Sequence, residues 1–184
     1  MADDIVPDHI VPDDKDWTWV VERPCPDCGF DAAHVTGDLL GTRILQAVRP
    51  WTDVLRRPDA SVRRTPGVWS DLEYGAHVRD VCRVFDGRLR LMLEHDDPPF
   101  ENWDQDEAAV EGRYAEQSPL AVAAQIGPNA DALATRYDTV PGDAWSRTGR
   151  RSNGSSFTVL TLGQYCLHDL IHHLHDVGAP ASDG

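Results

Sequence analysis

The tetrapeptide Ser70-Asp71-Leu72-Glu73 constrains the fold of this chain more than any other feature. It reads as a capping box, in which the serine side chain satisfies an orphan N–H and the glutamate reaches back to the cap. Trp69 and Tyr74 stand at the two positions of a hydrophobic staple around it. The helix so started runs to about Glu94, before Asp96-Asp97-Pro98-Pro99 stops it. On a helical wheel, Tyr74, His77, Val78, Val81, Val84, Phe85 and Met92 fall within roughly 60° of Val81, a single apolar stripe.

Three further helical stretches follow the same rules. The first covers roughly Ala33 to Leu55, with apolar Leu39, Leu40, Ile44, Leu45 and Val48, and Pro50 kinks or ends it. After a shorter segment around Glu107–Ala115, Ser118-Pro119 reads as an N-cap with proline at the first helical position. That helix continues to about Tyr137, with Gly127-Pro128 as a candidate break. The last covers about Thr158 to Val177 and ends at Gly178, with Pro180 beyond. Residues 138–156 read as loop, and no strand with convincing alternation and no internal repeat is seen. The expected architecture is all-α, a four-helix bundle. Residues 1–30 form an extended acidic arm carrying a CxxC, 31–178 the bundle, and 179–184 a disordered tail.

Composition narrows the class of partner. A chain of 184 residues with 41% hydrophobic content buries one core. A net charge of −14, from 31 acidic and 17 basic residues, argues against nucleic acid or an anionic membrane as partner. Lys15 is the sole lysine among many arginines, a bias typical of a high-GC bacterium. There is no run of ~20 apolar residues to span a membrane. The segment MADDIVPDHIVPDD has neither a basic nor an apolar signal-peptide region. Four cysteines do not suggest a disulfide framework. A soluble cytoplasmic protein is expected.

The run HDLIHHLHD at 168–176 holds four of the eight histidines and two aspartates. Imidazole and carboxylate are common ligands of Zn²⁺ and similar ions, and i, i+4 spacing places two on one helix face. Two rival pairs arise, His168/His172 and Asp169/His173. The last helix buries a stripe centred on Leu170, with His173 at its edge and Asp169 about 40° beyond. His168, His172 and His175 lie about 140–200° away, on the face read as solvated. Asp169/His173 is therefore the inward pair. His77 interrupts the apolar stripe of the second long helix, where an unpaired imidazole is costly. His77, Asp169 and His173 together make a three-ligand set with an open position, the mark of a catalytic site. A 2-His-1-carboxylate set suits Zn²⁺, Ni²⁺ or Fe²⁺.

These residues resemble the DinB/YfiT-like superfamily of metal-binding four-helix bundles. The superfamily includes thiol S-transferases and mycothiol-dependent maleylpyruvate isomerases. The resemblance spans about residues 35–178. It rests on Trp69-Ser70-x-x-Glu73-x-x-x-His77 and on the HDLIHHLHDV segment. It implies an up-down-down-up bundle, often dimeric, with a divalent metal, Zn or Ni foremost, on His77, Asp169 and His173. Many members carry histidine where Asp169 stands, while the isomerase branch is similar in using a carboxylate. A small-molecule substrate is implied, with mycothiol as a thiol cosubstrate in some branches.

Cys25-Pro-Asp-Cys28 is open to three readings: structural thiols closing the arm, a redox pair, or half of a zinc site with His34 or His9. Cys82 and Cys166 read as buried fillers. Arg147 and Arg150, with Arg151 and Arg63-Arg64, could hold substrate or cofactor carboxylates, against the simpler reading of solvated loop arginines. Trp145 is expected to pack its loop. The expected activity is a metal-dependent thiol transferase or isomerase. The alternatives are a metal-dependent hydrolase and a non-catalytic metal- or ligand-binding bundle.

Overall fold

Three of the four long helices begin where their cap residues say they should; the first starts at Gly37 rather than near Ala33, and its cap residue Thr36 makes no side-chain cap bond. Ser70 and Glu73 exchange both capping-box hydrogen bonds, and the rings of Trp69 and Tyr74 meet edge to face at 5.4 Å. The helix they start, Asp71–Glu94, is the longest of the protein. Ser118 caps Pro119–Asp138, and Thr158 forms a second capping box with Thr161 ahead of Val159–Asp176. Gly178 follows that last helix with φ of +61°, the left-handed conformation that closes helix ends and suits glycine. The computed structural model describes residues 10–13 and 15–180.

In chain order the helices are α1 (Gly37–Val48), α2 (Trp51–Val54), α3 (Asp71–Glu94), α4 (Gln105–Glu111), α5 (Pro119–Asp138) and α6 (Val159–Asp176). Pro50 divides α1 from α2. The candidate break at Gly127-Pro128 is not realised, and α5 continues through Pro128. The ring is exposed, so the carbonyl it leaves without an N–H partner lies on the water side of the helix.

Contacts between α1 and α5, α5 and α3, α3 and α6, and α6 and α1 close the bundle into a ring. Their directions follow from which ends meet. Arg57 joins Asp71 at the start of α3 to the Val177 carbonyl just after α6, so these two run antiparallel. Arg79 holds Gln125, and Asp86 holds Arg136, so α3 and α5 run parallel. Gly163 near the start of α6 approaches Leu40 near the start of α1. The order is therefore up-down-down-up. Among the four long helices, α1 sits diagonally from α3 and α5 from α6, while α3 and α5 are direct neighbours; the long connections allow this.

A three-stranded sheet departs from the expectation of no strands. Strands β1 (Pro99–Phe100), β2 (Thr148–Arg151) and β3 (Ser156–Thr158) pair in that order, β1 with β2 parallel and β2 with β3 antiparallel. At two to four residues these strands are too short for a period-two pattern to show. The sheet orders the loop before α6, where Trp145 stacks on Tyr137 at 6.2 Å, packing its loop as expected. The start of the expected tail, Ala179–Pro180, lies among the described residues and 181–184 outside them.

Glu73 is more than a cap. Its buried carboxylate accepts from Ser70 and pairs with Arg63. Burial pushes its pKa up, but Arg63 and the Ser70 donors outweigh that and hold it below the ordinary value. A depressed carboxylate adds stability above its unfolded pKa and loses it as pH falls through the folded value. Glu73→Gln is expected to cost about 1–2 kcal/mol at pH 7. The gap from the parent should shrink below pH 4 in urea unfolding; a gap constant with pH would refute the ionic contribution.

Candidate metal centre

α3 places His77 less than two turns beyond its cap, inside the bundle and 1% exposed. The ring stacks on Trp103 at 5.2 Å and 8° and leans on Trp69 at 5.3 Å. α6 supplies Asp169 and His173, one turn apart. Asp169 Oδ1 lies 3.2 Å from His77 Nε2 and 3.4 Å from His173 Nε2. Two ligands of a tetrahedral ion, each about 2.0–2.1 Å from it, stand about 3.3–3.4 Å apart. Two of the three separations thus match edges of such a tetrahedron, and the ligand atoms all lie within 4.8 Å of one another. This set fits a divalent metal.

The surroundings orient these side chains. His173 Nδ1 meets Asp176 Oδ2 at 2.8 Å, which leaves Nε2 turned toward Asp169. A carboxylate behind a metal-binding histidine fixes its tautomer and raises its basicity. The sequence reading missed Asp176, whose signal is its place three residues after His173. His77 Nδ1 is buried with no hydrogen-bond partner among the described residues, so that ring acts polar only through Nε2.

Electrostatics agree with a cationic occupant. Burial would raise the Asp169 carboxyl, yet His77 and His173 outweigh it and hold it at about 2. Burial lowers the pKa of His77 despite Asp169. At His173 the same burial is outweighed by Asp169 and Asp176, and the pKa rises.

Two cavities meet at Asp169. One, of about 340 Å³, is walled by Trp17, Trp69, Tyr74 and His173. The other, of about 370 Å³, is polar, with His77, Arg88, Asn102, Arg151 and Asn153 on its walls. Asp13, Lys15 and Trp17 of the N-terminal arm line both. Arg88 is buried, which lowers its pKa to about 10, and it stays charged at neutral pH.

Arg147 and Arg150 stand elsewhere. Arg147 donates to the carbonyls of Met92 and His95, Arg150 pairs with Asp97, and neither lines either cavity. Arg63 and Arg64 serve Glu73, Asp71 and Asp59. Of the arginines singled out in the sequence, Arg151 alone lines one of the two cavities.

A model of the DinB superfamily matches residues 40–177. This chain belongs to the DinB superfamily. Among solved structures, the fold is similar to YfiT from Bacillus subtilis, a protein described as a probable metal-dependent hydrolase with an unusual four-helix bundle topology. The TM-score is 0.62 at 16% identity, over 73% of this chain and 82% of that one. No curated protein matches this chain. In this bundle the first third of α3, with His77, faces the second half of α6, with Asp169. No helix among the described residues is long and apolar enough to cross a membrane.

The other histidines of the run correct the wheel. His168 is 3% exposed and His172 half-buried, not solvated; His175 alone is exposed. Trp17 packs against both with its ring tilted, 5.4 Å from His168 and 4.8 Å from His172, and Phe30 meets His168 edge-on at 5.5 Å. The face of α6 opposite the bundle is covered by the N-terminal arm, which a single-helix projection does not contain. Cys82 and Cys166 are buried as expected, and Cys166 lines neither cavity.

Proposed function

We propose that this chain is a metal-dependent S-transferase, in which His77, Asp169 and His173 hold a divalent ion, Zn²⁺ or Ni²⁺, facing both cavities. The observation that carries the reading is the meeting of two adjoining cavities at Asp169. A transfer between two organic reactants needs room for both beside one centre, whereas hydrolysis needs room for one and a water. When bound, the ion supplies Lewis acidity that makes a thiol acidic and polarises an acceptor.

The chain's own residues supply the rest. Arg88, Arg151, Asn102 and Asn153 offer charge-assisted and neutral hydrogen bonds to a hydroxyl-rich, acid-bearing thiol, for which mycothiol is suited. Trp17, Trp69 and Tyr74 offer aromatic walls to a less polar acceptor. Neither cavity is lined by a cysteine, so the sulfur nucleophile comes with the cosubstrate. Asp169, with its pKa near 2, stays ionised across the working range and keeps the two imidazoles turned toward it.

The test is conjugation of a small thiol, mycothiol or N-acetylcysteine, to a chlorobimane by the metal-loaded protein. Product is expected to depend on both metal and thiol and to fall to background in His77→Ala. Ester cleavage that proceeds equally without thiol would favour hydrolysis, the description attached to YfiT.

A further inference from the structure

We propose that Cys25, Cys28, His168 and His172 form a second, structural zinc site that clamps the N-terminal arm to α6. The four ligand atoms lie within 4.8 Å of one another, and none of them belongs to the His77 centre. Sequence spacing supports the assignment. Cys-x2-Cys and His-x3-His are the two halves of a four-ligand tetrahedral zinc site. Here they are far apart, Cys25 and His172 standing 147 positions from each other.

Local structure prepares both halves. The Gly29 N–H donates to the Cys25 carbonyl at 2.9 Å, and the Cys25 N–H donates to the Phe30 carbonyl at 2.8 Å. Gly29 at φ +75° permits that tight turn, which aims both sulfurs toward α6. On α6, His168 and His172 are one turn apart and pack against the same Trp17 ring. Cys25 Sγ lies 3.7 Å from His172 Nδ1, against about 3.6 Å for sulfur and nitrogen ligands of one tetrahedral zinc.

A second observation points to an ion independently. His168 is 3% exposed, and its Nε2 has no hydrogen-bond partner among the described residues. A buried imidazole nitrogen without a partner is costly, and a metal bond removes that cost. All four cysteines of the chain are free thiols, so Cys25 and Cys28 are available as ligands. A closed set of two sulfurs and two nitrogens selects Zn²⁺ and leaves no place for substrate.

His34 and His9 do not complete the CxxC. His34 is 79% exposed and paired with Asp31, and His9 lies outside the described residues. The partners are instead the rival pair of the histidine run. Asp169 and His173 face α3 while His168 and His172 face the arm, so α6 carries one site on each flank. The clamp would hold Trp17, a wall of both cavities, in place.

Elemental analysis of untagged protein, purified with zinc in the medium, decides the matter. Two ions per chain are expected, falling to one in Cys25→Ser/Cys28→Ser and to one in His77→Ala. Loss of zinc in the first variant alone supports the clamp even if the His77 centre fails, and the reverse pattern overturns the clamp alone. Should the cysteine variant not fold, cobalt reconstitution of the unaltered protein is decisive. Thiolate-to-cobalt charge transfer in the near ultraviolet is expected, which a histidine and carboxylate site cannot give. Absence of that band, or a Cys25–Cys28 disulfide in freshly purified protein, would overturn the proposal.

Discussion

Asp169→Ala is expected to empty the His77 centre of its ion while leaving the bundle folded. Asp169 is the one anionic side chain of the proposed set and sits within 3.4 Å of both imidazoles. Without it, two neutral imidazoles on different helices remain, and two ligands cannot hold a divalent ion against water. Changing a residue that merely supports a ligand costs 10–100-fold in affinity, and loss of the ligand itself should exceed the upper end of that range. Competition against a chromogenic chelator measures the effect. Asp169→His, which restores a third ligand, is expected to recover most of the binding. An Asp169→Ala protein with parental affinity at this centre would exclude Asp169 from the ligand set.

Leu170→Ala should show the opposite pattern, a less stable protein with its metal retained. Leu170 is the residue after Asp169, fully buried, at the middle of the stripe that α6 turns inward. Truncating a leucine in such a core costs about 2–5 kcal/mol, the transfer term plus the cavity left behind. For a chain of this length that corresponds to a fall in Tm of about 2–4 °C per kcal/mol. Thermal unfolding of the metal-loaded protein should therefore show a drop of roughly 4–20 °C, with metal content per chain unchanged. A shift under 2 °C would mean that this part of α6 is not the packed core it looks to be.

These two neighbours divide chemistry from packing, and that division was legible from helical periodicity. The stripe of α3 picked out His77 as a polar residue among buried ones, and the structure buries it at 1% exposure. The wheel of α6 preferred Asp169 and His173 to His168 and His172, and the preferred pair stands beside His77. Caps were equally readable, because a capping box is a contact between residues three apart. Ser70, Ser118 and Thr158 all start helices where local chemistry places them. The strands β1, β2 and β3 escaped notice, since pairing between Pro99 and Arg150 depends on the bundle bringing two loops together.

Arginine function was the least legible. A guanidinium on its long stem takes whatever partner the fold brings, so loop position predicted neither the Met92 carbonyl for Arg147 nor Asp97 for Arg150. Arg88, read as part of a helix and nothing more, lines the polar cavity. Its place depends on α3 and the loop carrying Glu101, whose carbonyl accepts from it.

The capping box and stripe of α3 contain, in consecutive residues, the start, length and buried face of the central helix. They also name His77 as the residue that does not belong in an apolar face. Such properties are local: they come from hydrogen bonds across three residues and from side chains repeating every turn. What covers the other side of α6 is not local. A helical wheel reports that His168 and His172 point away from Leu170, and it cannot report that Cys25, Cys28 and Trp17 lie over them. Two segments separated by most of the chain meet there because the bundle buries α6 on one face and the arm covers the other. That meeting covers a pair of histidines that the wheel left in solvent, and it sets the two rival pairs against different partners, one facing α3 and the other the arm.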